Sequence, residues 1–513
     1  MAFDRAARLY REALALGFAR TDHDGAACPQ TPTEARALRV ALADALAGAG
    51  RPRDAAHAYL EAIRDEDPAE TRALRRRAAE LLLGAGYADE GLGLLRDVLR
   101  DVGVTLSTSL PRSLLGYLVL RVRLAVRGLG FHERPESAID RRELLRVDAC
   151  YAAALGLLLV NPVLAAESQA RHLLLALTAG EPSRVARALA SEAVFTALRR
   201  GMGAAEDLLT TARAIEQRVG EPHLTGFLRL CEAQVAQVGA QLRRAYDLVV
   251  ESEAVLHRCS AGISLEIDMA RARRTDILWN LGEIAELARV VPALVEEARE
   301  RGNQYLAMLV QLSTGSVLGL VEGRPERARE TVAAALERWP PAPGSMLHAR
   351  ELRAQARISL YEGHGQASLA WIEGGIAAMR RTGFILVRAQ FAELALLAGL
   401  AALSIGDDAS AARYTRGITR LRFPWAENMV CCLRAGLAHR AGDLAGARML
   451  LGRAAKLTHE QGAAFCEAAI ARRLGEWNPG SEGRAQIEVA DAWMAGQGIA
   501  EPRRMTAMML GWV

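Results

Sequence analysis

The chain has 513 residues, 51% of them hydrophobic and 24% charged, with 5% aromatic and a net charge of +4. That length can bury a large core, and the shortage of β-branched and aromatic residues favours helix over sheet. Arginine supplies almost all the positive charge, Lys456 being the sole lysine, and acids nearly balance it, so the totals give no footing for nucleic acid.

In chain order, residues 1–20 read as the second helix of a hairpin whose first helix is missing. They carry charge every few residues and contain no apolar signal-peptide core, so a cytoplasmic location is expected. TDHDGAACPQTPT (21–33) reads as a loop ending at a helix start, with Thr33 as its cap. Beyond it one design recurs. Turn glycines stand at Gly50, Gly86, Gly180, Gly239, Gly282, Gly323, Gly363, Gly406 and Gly442, and most neighbours are 36 to 43 residues apart. Two longer gaps, of 94 and 59 residues, must hold extra helices. Seven residues before these glycines, seven of nine side chains are Ala, Gly, Ser or Thr; nine residues after, eight of nine are apolar or aromatic.

Two antiparallel helices joined by a tight turn explain the pattern. Small residues on the first helix let the second approach, larger ones on the second fill the space to the next pair, and glycine accepts the positive φ of the turn. One hairpin cannot bury its own apolar face, so hairpins stack. The expected fold is all-α, a superhelical solenoid of stacked antiparallel helix hairpins with the pattern of degenerate tetratricopeptide-like repeats. Its divisions are N-terminal hairpin repeats at 1–102, an irregular helical block at 103–202, a repeat array at 203–475 broken by WPPAPGS (339–345), and a capping helix and tail at 476–513.

Two stretches pose the question of a membrane. LPRSLLGYLVLRVRLAVRGLG (110–130) is interrupted by four arginines, and Ala149 to Ala166 is broken at Asn161-Pro162. The first is therefore amphipathic, and neither half of the second is long enough to span. Each is expected to form a buried helix hairpin, with membrane-surface contact as the alternative.

Residues 171–193, RHLLLALTAGEPSRVARALASEA, together with LLRDVLRDVGVTL (94–106), LLRVDACYAAALGL (144–157) and the tail AWMAGQGIAEPRRMTAMM (492–509), resemble the helical, tetratricopeptide-like C-terminal region of large bacterial serine/threonine kinases and related AAA-type ATPases. The resemblance covers essentially the whole chain. It implies a regulatory or partner-binding region in signalling and brings no catalytic residue with it. In that family a kinase or ATPase module lies upstream, so the resemblance implies either a fragment or a stand-alone relative.

No catalytic residue, cofactor or metal ligand set is expected. GxxxxGK[ST] is absent, as are the HRD and DFG elements of a kinase, HRAGD (439–443) being a repeat turn with Asp443 in it. His132-Glu133 and His459-Glu460 lack a second histidine four residues on, and Cys431-Cys432 point in different directions along a helix. The seven cysteines, with no CxxC, read as reduced, buried thiols. Asp65-Glu66-Asp67 and Asp407-Asp408 read as helix termini or caps. The arginines are more informative. Arg76, Arg229 and Arg353 share one offset, ten residues before their glycines, and with Arg273, Arg350 and Arg357 they fall on first helices, which line the concave groove in this repeat class. They form the candidate site for a protein or peptide partner, an acidic one in particular, through arginine forks on carboxylate. The bland alternative is a solvated face with acids opposite. The leading function is thus a non-enzymatic interaction scaffold whose partner is a protein, peptide, or kinase or ATPase module. Its rivals are an enzyme with a deep polar pocket in 103–202 and a nucleic-acid binder using arginine stripes, which the few aromatics and flat charge balance disfavour.

Overall fold

The computed structural model describes the chain except residues 1, 22–26, 30, 64–67, 108, 159–160, 260–263, 339–340, 385–386 and 512–513. The turns explain the hairpins. Eight of the nine expected glycines have φ between +71° and +94°. At Gly442, for example, the next N–H, on Asp443, reaches back to the Ala438 carbonyl at 2.9 Å, the bond that closes a helix with a left-handed residue. The Asp443 side chain then caps the second helix through the Gly446 N–H at 2.8 Å. Asp407 does the same for Ser410 at 3.0 Å. Prolines mark helix starts, as at Pro52, Pro182, Pro222 and Pro325, where the missing N–H has no intrahelical partner in any case.

The ninth turn departs from the expectation. Gly239 has φ −78°, and Ala240 takes the left-handed place with φ +60°. The closing bond runs from Gln241 N–H to Ala236 carbonyl at 2.9 Å, one residue later than the glycine implied. The side chain seven positions before this turn is therefore Ala233, fully buried, rather than Glu232, and the one nine positions after is the fully buried Val249.

The hairpins stack into a superhelical solenoid of the tetratricopeptide-like kind. First helices are Pro32–Gly48, Pro68–Gly84, Pro162–Ala179, Pro222–Val238, Ser264–Leu281, Gln304–Val321, Met346–Tyr361, Arg388–Ser404 and Glu427–Arg440. The two long gaps hold helices Leu110–Arg127 and Arg141–Leu157 in the first and Met202–Val219 in the second. Ala2–Leu16 packs on Pro32–Gly48. Gln304–Val321, which carries a π-helical turn at Gln311–Gly315, is long and apolar enough to cross a bilayer, yet 78% of it is buried inside the fold.

Four local expectations are corrected. The 21–33 segment is not wholly loop: strands Phe18–Thr21 and Ala27–Pro29 pair antiparallel, four and three residues too short to show an alternating pattern. Thr31, not Thr33, caps the following helix. It accepts the Glu34 N–H at 3.2 Å while the Glu34 carboxylate accepts the Thr31 N–H at 2.9 Å, a reciprocal cap that Pro32 at the first helical position favours. After WNPGSEG (477–483) come two helices, Ser481–Gly496 and Pro502–Leu510, where one was expected. Finally, 110–130 does not form a buried hairpin: Leu110–Arg127 packs mainly on Pro162–Ala179 and leaves an apolar face outward. Most described residues of the second stretch are buried, and Asn161, exposed, caps the Leu164 N–H at 3.1 Å. The triplet at 65–67 lies outside the described residues.

The solenoid closes on itself. Tyr305 N–H bonds the Ala85 carbonyl at 3.3 Å, joining the first repeats to the second array. Helix Ser264–Leu281 touches both Pro68–Gly84 and Ala464–Trp477. A methyl on Gly282 would lie 2.4 Å from the Phe465 nitrogen, so this glycine serves the turn and the closure together. The C-terminal helix Pro502–Leu510 lies across Met346–Tyr361, Arg388–Ser404, Glu427–Arg440 and Ala464–Trp477, burying Met505, Met508 and Leu510. Ala500 N–H fixes its approach on the Val321 carbonyl at 2.8 Å.

Candidate partner-binding site

The six arginines do not form one groove. Arg229 bonds Glu232 at 2.8 Å and Glu251 at 3.0 Å. The late turn at Ala240 puts Leu230, not Arg229, at the offset shared by Arg76 and Arg353. Four of the six meet inside the second array, behind the C-terminal helix. Arg350 forks onto Asp276 with two 2.9 Å bonds and donates to Ser313 Oγ at 2.8 Å. Arg353, 6% exposed, pairs with Glu393. Arg273 donates to Gln237 at 3.1 Å, and Arg357 stacks over the Trp279 ring, 5.4 Å from its centroid. Burial, with neighbouring Arg350, pushes the Arg357 guanidinium down to about 10 despite Asp276. These groups are buried or part-buried and paired within the array, with Pro502–Leu510 packed on the helix Met346–Tyr361 that carries three of them.

Arg76 belongs elsewhere. It lines two adjoining cavities of about 230 and 240 Å³, bounded by first helices of the N-terminal repeats and by the 103–202 block. Arg187 and His223 line both as well. The polar side begins at Asp148 on Arg141–Leu157. Its carboxylate receives Arg184 Nη2 at 2.9 Å and Arg187 Nη2 at 2.6 Å. Burial alone would raise the Asp148 carboxyl, but Arg187, Arg76 and Arg184 outweigh it and hold it well below the usual carboxylate range. Arg187 also lies over the Tyr151 ring at 4.1 Å. The Tyr151 hydroxyl donates to Glu266 at 3.0 Å, and His223 Nε2 stands 3.6 Å from the same carboxylate. The apolar wall comes from Leu81, Ala152, Leu155 and Leu265.

Two nitrogens of the residues shared by both cavities are buried without a hydrogen-bond partner, Arg76 Nε and Arg187 Nε, while His223 Nε2 has only the Glu266 carboxylate 3.6 Å away. Buried polar groups normally find partners, so these are places where a bound segment can add bonds. Acids outnumber arginines around the two cavities: Asp44, Glu80, Asp148, Glu136, Glu181, Glu221 and Glu266 against Arg76, Arg77, Arg184 and Arg187. Selection for an acidic partner is not what this balance provides.

Sequence reasoning found Arg76 and missed Asp148, Tyr151, Arg184, Arg187, His223 and Glu266. They come from four helices far apart in the chain, so no local spacing joins them. One signal was present: two of the stretches that carry the family resemblance, 144–157 and 171–193, contain Asp148, Tyr151, Arg184 and Arg187. No group of three or more His, Cys, Asp or Glu side chains could hold a metal among the described residues.

No family model and no curated protein matches the chain. Solved structures similar to it include the APC/C hetero-tetramer Cut9-Hcn1, at 14% identity over 97% of this chain and 84% of that one, with a TM-score of 0.45. A Rap protein complexed with competence and sporulation factor is similar at 12% identity over 84% and 100%, TM-score 0.42. Aspartyl phosphate phosphatase F from Bacillus subtilis is similar at 11% over 78% and 97%, TM-score 0.42. Likeness this loose is no ground for assigning function.

Proposed function

We propose that the chain is a non-enzymatic interaction scaffold that holds a segment of a partner protein in the Arg76–Arg187–His223 cavities. The observation that carries this is the two buried, unpartnered arginine nitrogens, Arg76 Nε and Arg187 Nε, on residues common to both cavities, beside an apolar wall. An extended peptide offers alternating backbone acceptors and donors and an occasional apolar side chain, which suits a lining of mixed charge. Its backbone carbonyls meet the free Arg76 and Arg187 nitrogens, and a side chain of the partner rests on Leu81, Leu155 and Leu265. The excess of acids over arginines around the cavities favours a segment that is not acidic. A regulatory role beside a bacterial kinase or ATPase rests on the family resemblance of the sequence alone, and a cytoplasmic location on the character of residues 1–20.

The test is binding of the full chain to a peptide array of varied charge, followed by titration of the best peptides. Leu155→Gln and His223→Ala should each weaken binding at least about fivefold, the loss of roughly 1 kcal/mol of contact. Arg229→Ala and Arg357→Met, outside the cavities, should leave it unchanged. Equal affinities for all four variants would remove the cavity from the binding surface.

One observation favours a second reading. The enzyme alternative asked for a deep polar pocket in the 103–202 block, and Asp148, Tyr151, Arg184 and Arg187 of that block do line the cavities, beside a His223–Glu266 pair. That pair makes no hydrogen bond to a serine, threonine or cysteine side chain among the described residues; its hydroxyl partner is Tyr151, which donates to Glu266. Asp148, held ionised by three arginines, is a poor proton acceptor.

A further inference from the structure

Sixteen large hydrophobic side chains are exposed among the described residues, and six of them lie between 115 and 129. Five are on helix Leu110–Arg127: Leu115, Leu118, Val119, Val122 and Val126, from 51% to 84% exposed. Their spacing, i, i+3, i+4, i+7 and i+11, places them in one stripe along the helix. Ser113, Leu120 and Leu124 on the opposite side are buried against the fold. The helix therefore turns its richer apolar face to the outside, where a contiguous patch marks an interaction surface.

The charge beside the stripe identifies what it meets. Residues 110–131 contain four arginines and no acid. Arg121 is taken up inward by Glu192 at 2.6 Å. Arg127 donates only to carbonyls, those of Gly128, Gly130 and Leu177 at 2.8 to 3.2 Å, which leaves its charge uncancelled. Arg112 and Arg123, both exposed, have no carboxylate partner among the described residues. At 100° per residue, Arg112, Arg123 and Arg127 all fall along one shoulder of the stripe. Long arginine stems can lie on an apolar layer while their heads reach phosphate.

We infer that this helix docks the protein on an anionic lipid surface, lying in the plane of the interface with the Leu115–Val126 stripe among the acyl chains and Arg112, Arg123 and Arg127 on lipid phosphates. A second copy of the chain fits less well, because pairing stripe on stripe brings arginine shoulders together with no acid to separate them. A partner helix would find a convex rod and no groove to enter. The inference is independent of the peptide cavities, which are built from other helices.

The test is flotation of the full chain with vesicles of phosphatidylcholine alone and of phosphatidylcholine mixed with phosphatidylglycerol. The expected result is association with the mixed vesicles only, weakening as salt is raised. Val122→Glu and Leu118→Glu, at exposed positions where folding should be untouched, should abolish it; unchanged helical circular dichroism confirms the fold of each. Arg123→Ala should reduce partition roughly fivefold. Three results would overturn the inference: no association, equal association with both vesicles, or association that survives Val122→Glu. A dimer in solution that Val122→Glu converts to monomer would do so too, by giving the stripe to a second copy.

Discussion

At Ala240 an alanine occupies a place that glycine holds in the eight other expected turns, with φ +60° and the same closing hydrogen bond. The left-handed region crowds Cβ against the backbone and costs an L-residue about 1–2 kcal/mol. Part of this returns through the stiffer unfolded chain of alanine, and the methyl itself is buried. Ala240→Gly should therefore raise stability by about 0.5 kcal/mol, seen as a higher denaturant midpoint at unchanged slope. A lower midpoint would show that the turn is not where we place it. The same residue explains a misreading. A glycine really does stand at 239, so the sequence anchors the repeat there, and Arg229 joins Arg76 and Arg353 at a shared offset by a one-residue slip. With the slip corrected, Glu232 ceases to be a large charged residue at a small-residue position, because Ala233 fills that position. Local chemistry made the turn legible; only backbone geometry distinguishes which of two neighbouring small residues turns left.

Within an element, the hairpin pattern proved readable because packing acts at fixed offsets. Five residues past eight of the nine turn residues stands a buried side chain, Ala55, Ala245, Ala328, Ala411 and Ala447 among them, each 0% exposed, and past Gly86 stands Gly91. Here the second helix faces the first most closely. Ala411→Phe should overpack the pair of helices Arg388–Ser404 and Asp408–Leu421 and lower stability by ~1–3 kcal/mol; a thermal midpoint equal to the parent's would contradict the register. Helix Leu110–Arg127 was less legible for a definite reason. Periodicity shows that two faces differ, but both of its faces contain leucine, and the sequence carries no mark of which one the fold covers. The rule that apolar faces turn inward decided wrongly. The strands at 18–21 and 27–29 escaped notice because so few residues leave no alternation to count.

At the scale of the whole molecule, a solenoid in which each repeat met only its neighbours would unfold piecemeal, and the sequence offers nothing to contradict that picture. The structure does. Ala85 meets Tyr305, Gly282 meets Phe465, and the C-terminal helix lies across four first helices at once. This closure also occupies four of the arginines expected to line the concave groove: Arg350 and Arg353 are taken up by Asp276 and Glu393, and Arg273 and Arg357 are part-buried against Gln237 and Trp279. Closure has a measurable consequence. All seven tryptophans lie between positions 279 and 512, so their fluorescence reports the second array and the C-terminal region but not the N-terminal repeats, whereas far-ultraviolet circular dichroism reports every helix. If the N-terminal repeats depend on the second array, the two signals should melt at one midpoint. Met505 is fully buried beneath the crossing helix, and Met505→Ala should remove about 2–5 kcal/mol and lower both midpoints together. A dichroism transition that begins before the fluorescence changes, or a Met505→Ala variant in which only the fluorescence midpoint falls, would mean that the arrays touch without sharing their stability.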